Sequence, residues 1–165
     1  MEKSNVYFWN KTKIKDRNHY ITPKRGWEDI LKYIPKDTPL WLPFYNEGKA
    51  KEIVQELGYH DVYHEKFDFF QYDMADRLVI DNPPYDAKKK IIEKLYKRGK
   101  PFSLLLPLVT LERKYMKNFL KNFQMIIPSI RYTYTNDDRA PPFKSCWFCW
   151  GMQDYLKTTD KLVFL

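Results

Sequence analysis

Residues 102–108, Phe-Ser-Leu-Leu-Leu-Pro-Leu, constrain the fold more than any other stretch. The run is strand-length and apolar without alternation, the pattern of a strand covered on both faces. Two-sided cover implies a parallel sheet flanked by helices, and the rest of the chain supplies both. Strands are expected at 40–45, 61–65, 78–82 and 125–130, with helices at 26–34, 49–57, 88–98 and 112–122. Trp27, Ile30, Leu31 and Ile34 fall at i, i+3, i+4 and i+7, one face of a helix that Pro35 ends. Ile53, Val54 and Leu57, then Ile91, Ile92 and Leu95, then Tyr115, Met116, Phe119 and Leu120 mark the inner faces of the other three. On the helix at 88–98 a run of lysines, Lys88, Lys89, Lys90, Lys94 and Lys97, is expected to face outward. Residues 146–152 read as an antiparallel strand at the C-terminal edge, and 161–165 as one more short strand. The alternation predicts an α/β domain with a doubly wound, mostly parallel sheet. Helices cover both faces, and a ligand lies at the carboxyl ends of the strands.

At 165 residues the chain is expected to form a single domain, with residues 1–20 as a polar N-terminal arm. Its 29 Lys and Arg against 21 Asp and Glu leave a formal charge of +8, and 18% of residues are aromatic. That pairing suits a polyanion with stackable bases, although an AT-rich genome enriches lysine as well. No apolar run reaches the ~20 residues of a membrane span, and the first five residues lack a signal-peptide core. With two cysteines no disulfide framework forms, so an intracellular, cytoplasmic setting is expected. Cys146 and Cys149 in a strand point to opposite faces, and the histidines lie far back in sequence, so no metal site is expected.

The strand at 78–82 stops abruptly at Asn82-Pro83-Pro84-Tyr85. Two prolines fix φ near −65° and remove two N–H donors, leaving a stiff shelf with outward carbonyls. Asn82, preceding proline, is pushed into extended geometry. The shelf offers one amide, a free carbonyl and an aromatic face, which together suit a planar group bearing NH2. The Asn82 oxygen and the Pro83 carbonyl would accept its two N–H bonds while Tyr85 stacks on the ring. A proline-rich turn after a core strand is the plainer alternative.

Asn-Pro-Pro-Tyr resembles the catalytic motif of S-adenosylmethionine-dependent amino-methyltransferases, above all those of adenine N6. The order of further segments is similar to that family over roughly residues 20–152. Tyr20, Thr22 and Pro23 precede a helix with a tryptophan. Pro43, Phe44, Tyr45 and Gly48 match the cofactor loop, with Leu42 where an acid is usual and Asn46 where the first glycine is usual. Glu65 or His64, at the end of the second strand, corresponds to the ribose-binding acid. Asp68 and Phe69 resemble the pair that takes the cofactor's adenine.

The resemblance implies a Rossmann-like class I methyltransferase fold and S-adenosyl-L-methionine as cofactor. Asn82, Pro83, Pro84 and Tyr85 would carry direct methyl transfer to adenine N6 in DNA. It is nearest to compact phage and viral enzymes without a separate target-recognition domain. Recognition would then come from loops, a second copy or a partner subunit. Lys88, Lys89, Arg131, Arg139 and Lys144 are the expected nucleic-acid contacts. Two other outcomes stay open: amino-methyl transfer to guanine N2 of ribosomal RNA or to a protein glutamine, and a non-catalytic nucleic-acid-binding subunit derived from such an enzyme.

Overall fold

Side-chain alternation along the strands decides how the layers assemble. The computed structural model describes residues 20–134, 141 and 143–165; residues 1–19 of the expected arm and Arg139 lie outside them. In chain order the strands are β1 (Leu40–Trp41), β2 (Val62–Tyr63), β3 (Leu78–Asp81), β4 (Phe102–Pro107), β5 (Phe123–Ile127), β6 (Ser145–Trp150) and β7 (Leu162–Phe164). They form one sheet of order β2-β1-β3-β4-β6-β5-β7. The pairs β1–β2, β1–β3, β3–β4 and β5–β7 are parallel, and β6 runs against both β4 and β5.

Leu40, Leu78, Ile80, Leu105, Ile126 and Trp147 point to one face, where α1 (Lys24–Leu31), α2 (Lys49–Glu56) and α4 (Gln153–Leu156) pack. Trp41, Val79, Leu104, Leu106, Met125 and Phe148 point to the other, under α3 (Lys88–Arg98). Each fully buried Leu or Ile contributes about 1.5–3 kcal/mol, so period-two patterning largely fixes the register. Cys146 and Cys149 fall on opposite faces, as a strand requires.

Helix ends follow local chemistry. α1 starts after Pro23, and the Tyr59 hydroxyl donates to the carbonyls of Leu31 and, at 2.7 Å, Ile34, satisfying its C-terminal end. α3 ends at Gly99, whose φ of 68° is a left-handed cap.

Three expectations are corrected. Residue stretch 112–122 is not an α-helix but part of two 3-10 turns, Leu108–Glu112 and Lys114–Phe119, split at Arg113, which is extended. Its buried residues, Met116 and Phe119, are three apart, the 3-10 period, while Leu120 is exposed. The antiparallel strand β6 is not at the edge. It is inserted between β4 and β5, because its residues are apolar on both faces and need two neighbours; β7 forms the edge. Beyond β5, Tyr132 and Tyr134 are buried, and Tyr132 donates to Asp29 of α1 at 2.6 Å. Strand β5 stops before Pro128, short of the expected 130.

The chain leaves β1 for β2 on one side and reaches β3 on the other. The carboxyl ends of β1 and β3 therefore flank the point where strand order reverses, the usual ligand crevice of an open α/β sheet.

Candidate functional site

The exits of β1 and β3 are tied together by Asp81. Its buried carboxylate accepts the Phe44 N–H at 2.7 Å and the Asn82 N–H at 2.8 Å. Burial pushes its pKa well above the usual carboxylate range, and the two amide donors act against that shift. An acid following Leu78-Val79-Ile80 is the signal that sequence reading passed over.

Asn82 follows at once and is itself buried. Its amide nitrogen donates to the Tyr20 carbonyl and to the Thr22 hydroxyl, both at 3.0 Å. A backbone carbonyl only accepts, so this network fixes which end of the amide is nitrogen. The Asn82 Oδ1 atom is buried and accepts no hydrogen bond from the described residues. Asn46 repeats the arrangement: its nitrogen donates to the same Tyr20 carbonyl at 2.9 Å, and its Oδ1 is buried without a partner among the described residues. Leaving a buried acceptor unsatisfied costs about 1–3 kcal/mol, so two of them beside one crevice mark a place built for donors. Ile21, Thr22, Trp27, Phe44, Asn46, Ala50, Asp81 and Asn82 line that crevice. Its volume of about 20 Å³ suffices for a water and not for a nucleoside.

The turn Asn46–Gly48 closes one side. Asn46, Glu47 and Gly48 have φ of 34°, 67° and 75°, three successive left-handed residues. A Cβ on Gly48 would meet the Tyr45 hydroxyl at 2.7 Å. Tyr45 thus lies against the loop and stacks on His64, with ring centroids 5.2 Å apart. His64 Nδ1 is 2.8 Å from the Leu42 carbonyl. Leu42, at the usual acid position, is wholly buried among core residues.

Tyr85 does not line the crevice but packs on Tyr20. Its ring packs 6.0 Å from Tyr20 and 5.8 Å from Phe143, and Tyr20 lies 4.8 Å from Tyr134. The Tyr85 and Tyr134 hydroxyls are 3.4 Å apart, and Tyr134 meets Ser145 Oγ at 2.5 Å. Burial raises the pKa of both phenols, Tyr85 well above the ordinary value, so both keep their protons.

Not every expected contact converges here. Thr22 and Phe44 line the crevice, and Tyr20 supplies the shared carbonyl. Pro43 and Pro83 are buried, while Pro23 and Pro84 are half-buried. Glu65 is exposed past β2. Asp68 caps its own turn, accepting Phe70 N–H at 2.8 Å, and Phe69 is buried against Phe44 and Trp41. Of the expected nucleic-acid contacts, Lys89 and Arg131 are exposed and Lys144 is half-buried. Lys88 is half-buried too and donates to the Tyr85 carbonyl at 3.2 Å. Lys94 does not face outward as its place in the lysine run suggests; it donates to the carbonyls of Phe69 and Tyr72 and lies over the Phe69 ring. Beside it, Arg98 donates to the carbonyls of Met74, Ala75 and Arg77. Lys94 and Arg98 together pin the loop that carries Asp68.

Among the described residues no three His, Cys, Asp or Glu side chains group as metal ligands, and no helix is long and apolar enough to cross a membrane. No protein-family model matches the chain, and no curated protein sequence matches it.

Proposed function

We propose that this chain is an S-adenosylmethionine-dependent methyltransferase acting on the N6 amino group of adenine in DNA. The observation that carries the proposal is the buried Oδ1 of Asn82 at the exit of β3, without a partner among the described residues. Its amide nitrogen is held by Tyr20 and Thr22, so the oxygen is already oriented as an acceptor before any ligand arrives. Preorganisation of that kind lowers a barrier by removing reorientation from the reacting step.

In this mechanism Asn82 Oδ1 accepts one N–H of the adenine amino group and the Pro83 carbonyl accepts the other. The nitrogen lone pair is thereby turned out of conjugation with the ring and toward the methyl donor. S-adenosylmethionine, when bound, supplies an electrophilic methyl group. The proton lost from the methylated nitrogen passes to water, since Tyr85 and Tyr134 hold their own protons. Tyr85 offers its face to the base once Tyr20 and Phe143 part. The free Asn46 and Asn82 oxygens fit ligands that bring N–H donors, as an amine or ammonium group does. The strands β2-β1-β3-β4, parallel with their reversal point between β1 and β3, support a Rossmann-like class I fold. The net charge of +8 supports a nucleic acid over an acidic protein acceptor.

A second reading, a non-catalytic nucleic-acid-binding subunit, is favoured by the buried Leu42 and by the small crevice. Calorimetric titration with S-adenosylmethionine separates the two, followed by labelled-methyl transfer to DNA, RNA and protein. Micromolar cofactor binding with label in DNA adenine supports the enzyme. Absence of cofactor binding supports the subunit, and label in RNA guanine or protein glutamine reassigns the acceptor.

A further inference from the structure

The turn after β4 leaves apolar side chains exposed to solvent. Leu108, Val109 and Leu111 are 37%, 51% and 37% exposed, yet Thr110 between them is wholly buried. The turn is held rather than loose. The Leu108 N–H donates to the Lys144 carbonyl at 2.7 Å, and the Arg113 N–H donates to the Thr110 carbonyl at 3.2 Å.

Strand register gives its position relative to the shelf. Asp81, the last residue of β3, pairs with Leu104 of β4. The turn begins four residues later, about 13 Å further along the strand direction. The apolar tip thus stands out beyond Asn82, at the same sheet edge and on the adjacent strand.

Its rim is basic. Lys89 Nζ lies 5.9 Å from the Tyr115 ring centroid, which brings the start of α3 beside the segment following the turn. Burial, then the neighbouring Arg113 guanidinium, lowers the Lys88 pKa. Arg113 follows the turn directly and stands near Lys88, and the Lys144 backbone holds its first residue, with Asp86 and Glu112 as the neighbouring acids.

We infer that Leu108, Val109 and Leu111 form a wedge that enters the base stack of duplex DNA and fills the gap left when a nucleotide swings down to Asn82. The occupant follows from the combination. An apolar tip alone suits many partners, but a held apolar tip with cations beside it, raised beyond the shelf at Asn82, matches a polyanion with a stacked interior. The inference rests on the nucleic-acid part of the reading above and adds how the base is reached.

The test is binding of the full chain, without cofactor, to two duplexes of one sequence, one intact and one with a single abasic position. An abasic position removes part of the unstacking cost, so the unaltered chain is expected to bind it about tenfold more tightly. The double variant Val109→Ser, Leu111→Ser is expected to bind both duplexes equally. Val109→Ala, a milder change at a half-exposed position, is expected to lose part of the preference and guards against a folding defect in the double variant. Equal binding of the two duplexes by the unaltered chain, no DNA binding at all, or a preference kept by the double variant would overturn the wedge. Methyl transfer to single strands by the unaltered chain is measured separately. Transfer without an abasic preference removes the wedge and leaves the enzyme; a wedge-dependent preference without transfer to any acceptor does the reverse.

Discussion

Asn46 and Asn82 donate their amide nitrogens to one acceptor, the Tyr20 carbonyl, at 2.9 and 3.0 Å. The two side chains come from the loops after β1 and β3, and the carbonyl from the segment leading into α1. One backbone oxygen therefore sets the orientation of both amides and leaves both Oδ1 atoms without a partner among the described residues.

Asn82 is the first test of the proposed chemistry. Asn82→Ala removes the acceptor and should lower methyl transfer by at least about 10²-fold, the usual loss when one preorganised polar group is deleted. Asn82→Asp keeps an acceptor but sets a carboxylate against the Tyr20 carbonyl, so it should lose both activity and thermal stability. Labelled-methyl assays and circular dichroism melts read the two effects apart. Near-normal turnover in Asn82→Ala would remove the shelf from the reaction.

Asn46 tests whether the second free oxygen holds cofactor. Asn46→Gly suits the φ of 34° at this position and deletes only the amide. If Oδ1 receives an ammonium group, the variant should bind S-adenosylmethionine about tenfold more weakly, since hydrogen bonds to charged groups are worth about 1.5–3 kcal/mol. Unchanged or tighter binding by calorimetry would mean that Asn46 serves the turn alone.

Much of this was legible in the residues. Apolar runs and period-3.6 patterning located seven strands and three helices and assigned the inner faces of the helices, because burial leaves a strict local spacing. The shelf at 82–85 was legible because proline dictates backbone geometry locally. Contacts that span the chain were not. Asn46 reads as a substituted glycine until Tyr20, remote in sequence, shows what its nitrogen binds. Lys94 reads as one of five solvent-facing lysines, since no pattern announces that the Phe69 and Tyr72 carbonyls lie beneath it. The position of β6 depended on which neighbours its two apolar faces would find, a choice that local spacing does not contain.

Arg98 should matter to stability more than any lysine of α3. Its side chain is only 4% exposed, pairs with Asp73 at 2.8 Å and donates to three backbone carbonyls between residues 74 and 77. Arg98→Ala leaves those carbonyls without their donor and uncovers the Trp41 ring beneath. A loss of about 2–4 kcal/mol is expected in urea denaturation. Lys97→Ala, on the exposed side of the same helix, should stay within about 0.5 kcal/mol. Equal effects of the two would show that the loop at 73–77 holds itself.

His64 should make stability pH-dependent in a definite direction. Burial lowers its pKa below 6.5, outweighing the Leu42 and Tyr45 carbonyls that favour the cation. The unfolded chain, titrating near 6.5, then binds more protons than the folded one at mildly acid pH. The contribution of His64 is therefore complete above about pH 6.5 and is lost as pH falls below it, by at most about 1.4 kcal/mol per pH unit. His64→Asn keeps an N–H donor near the Nδ1 position for the Leu42 carbonyl and removes the titration. Denaturant midpoints for both proteins between about pH 5 and 7 isolate the effect, since the carboxylates contribute equally to each. The unaltered chain should lose stability relative to His64→Asn on acidification, and parallel curves would show that the ring is protonated in the fold at no cost.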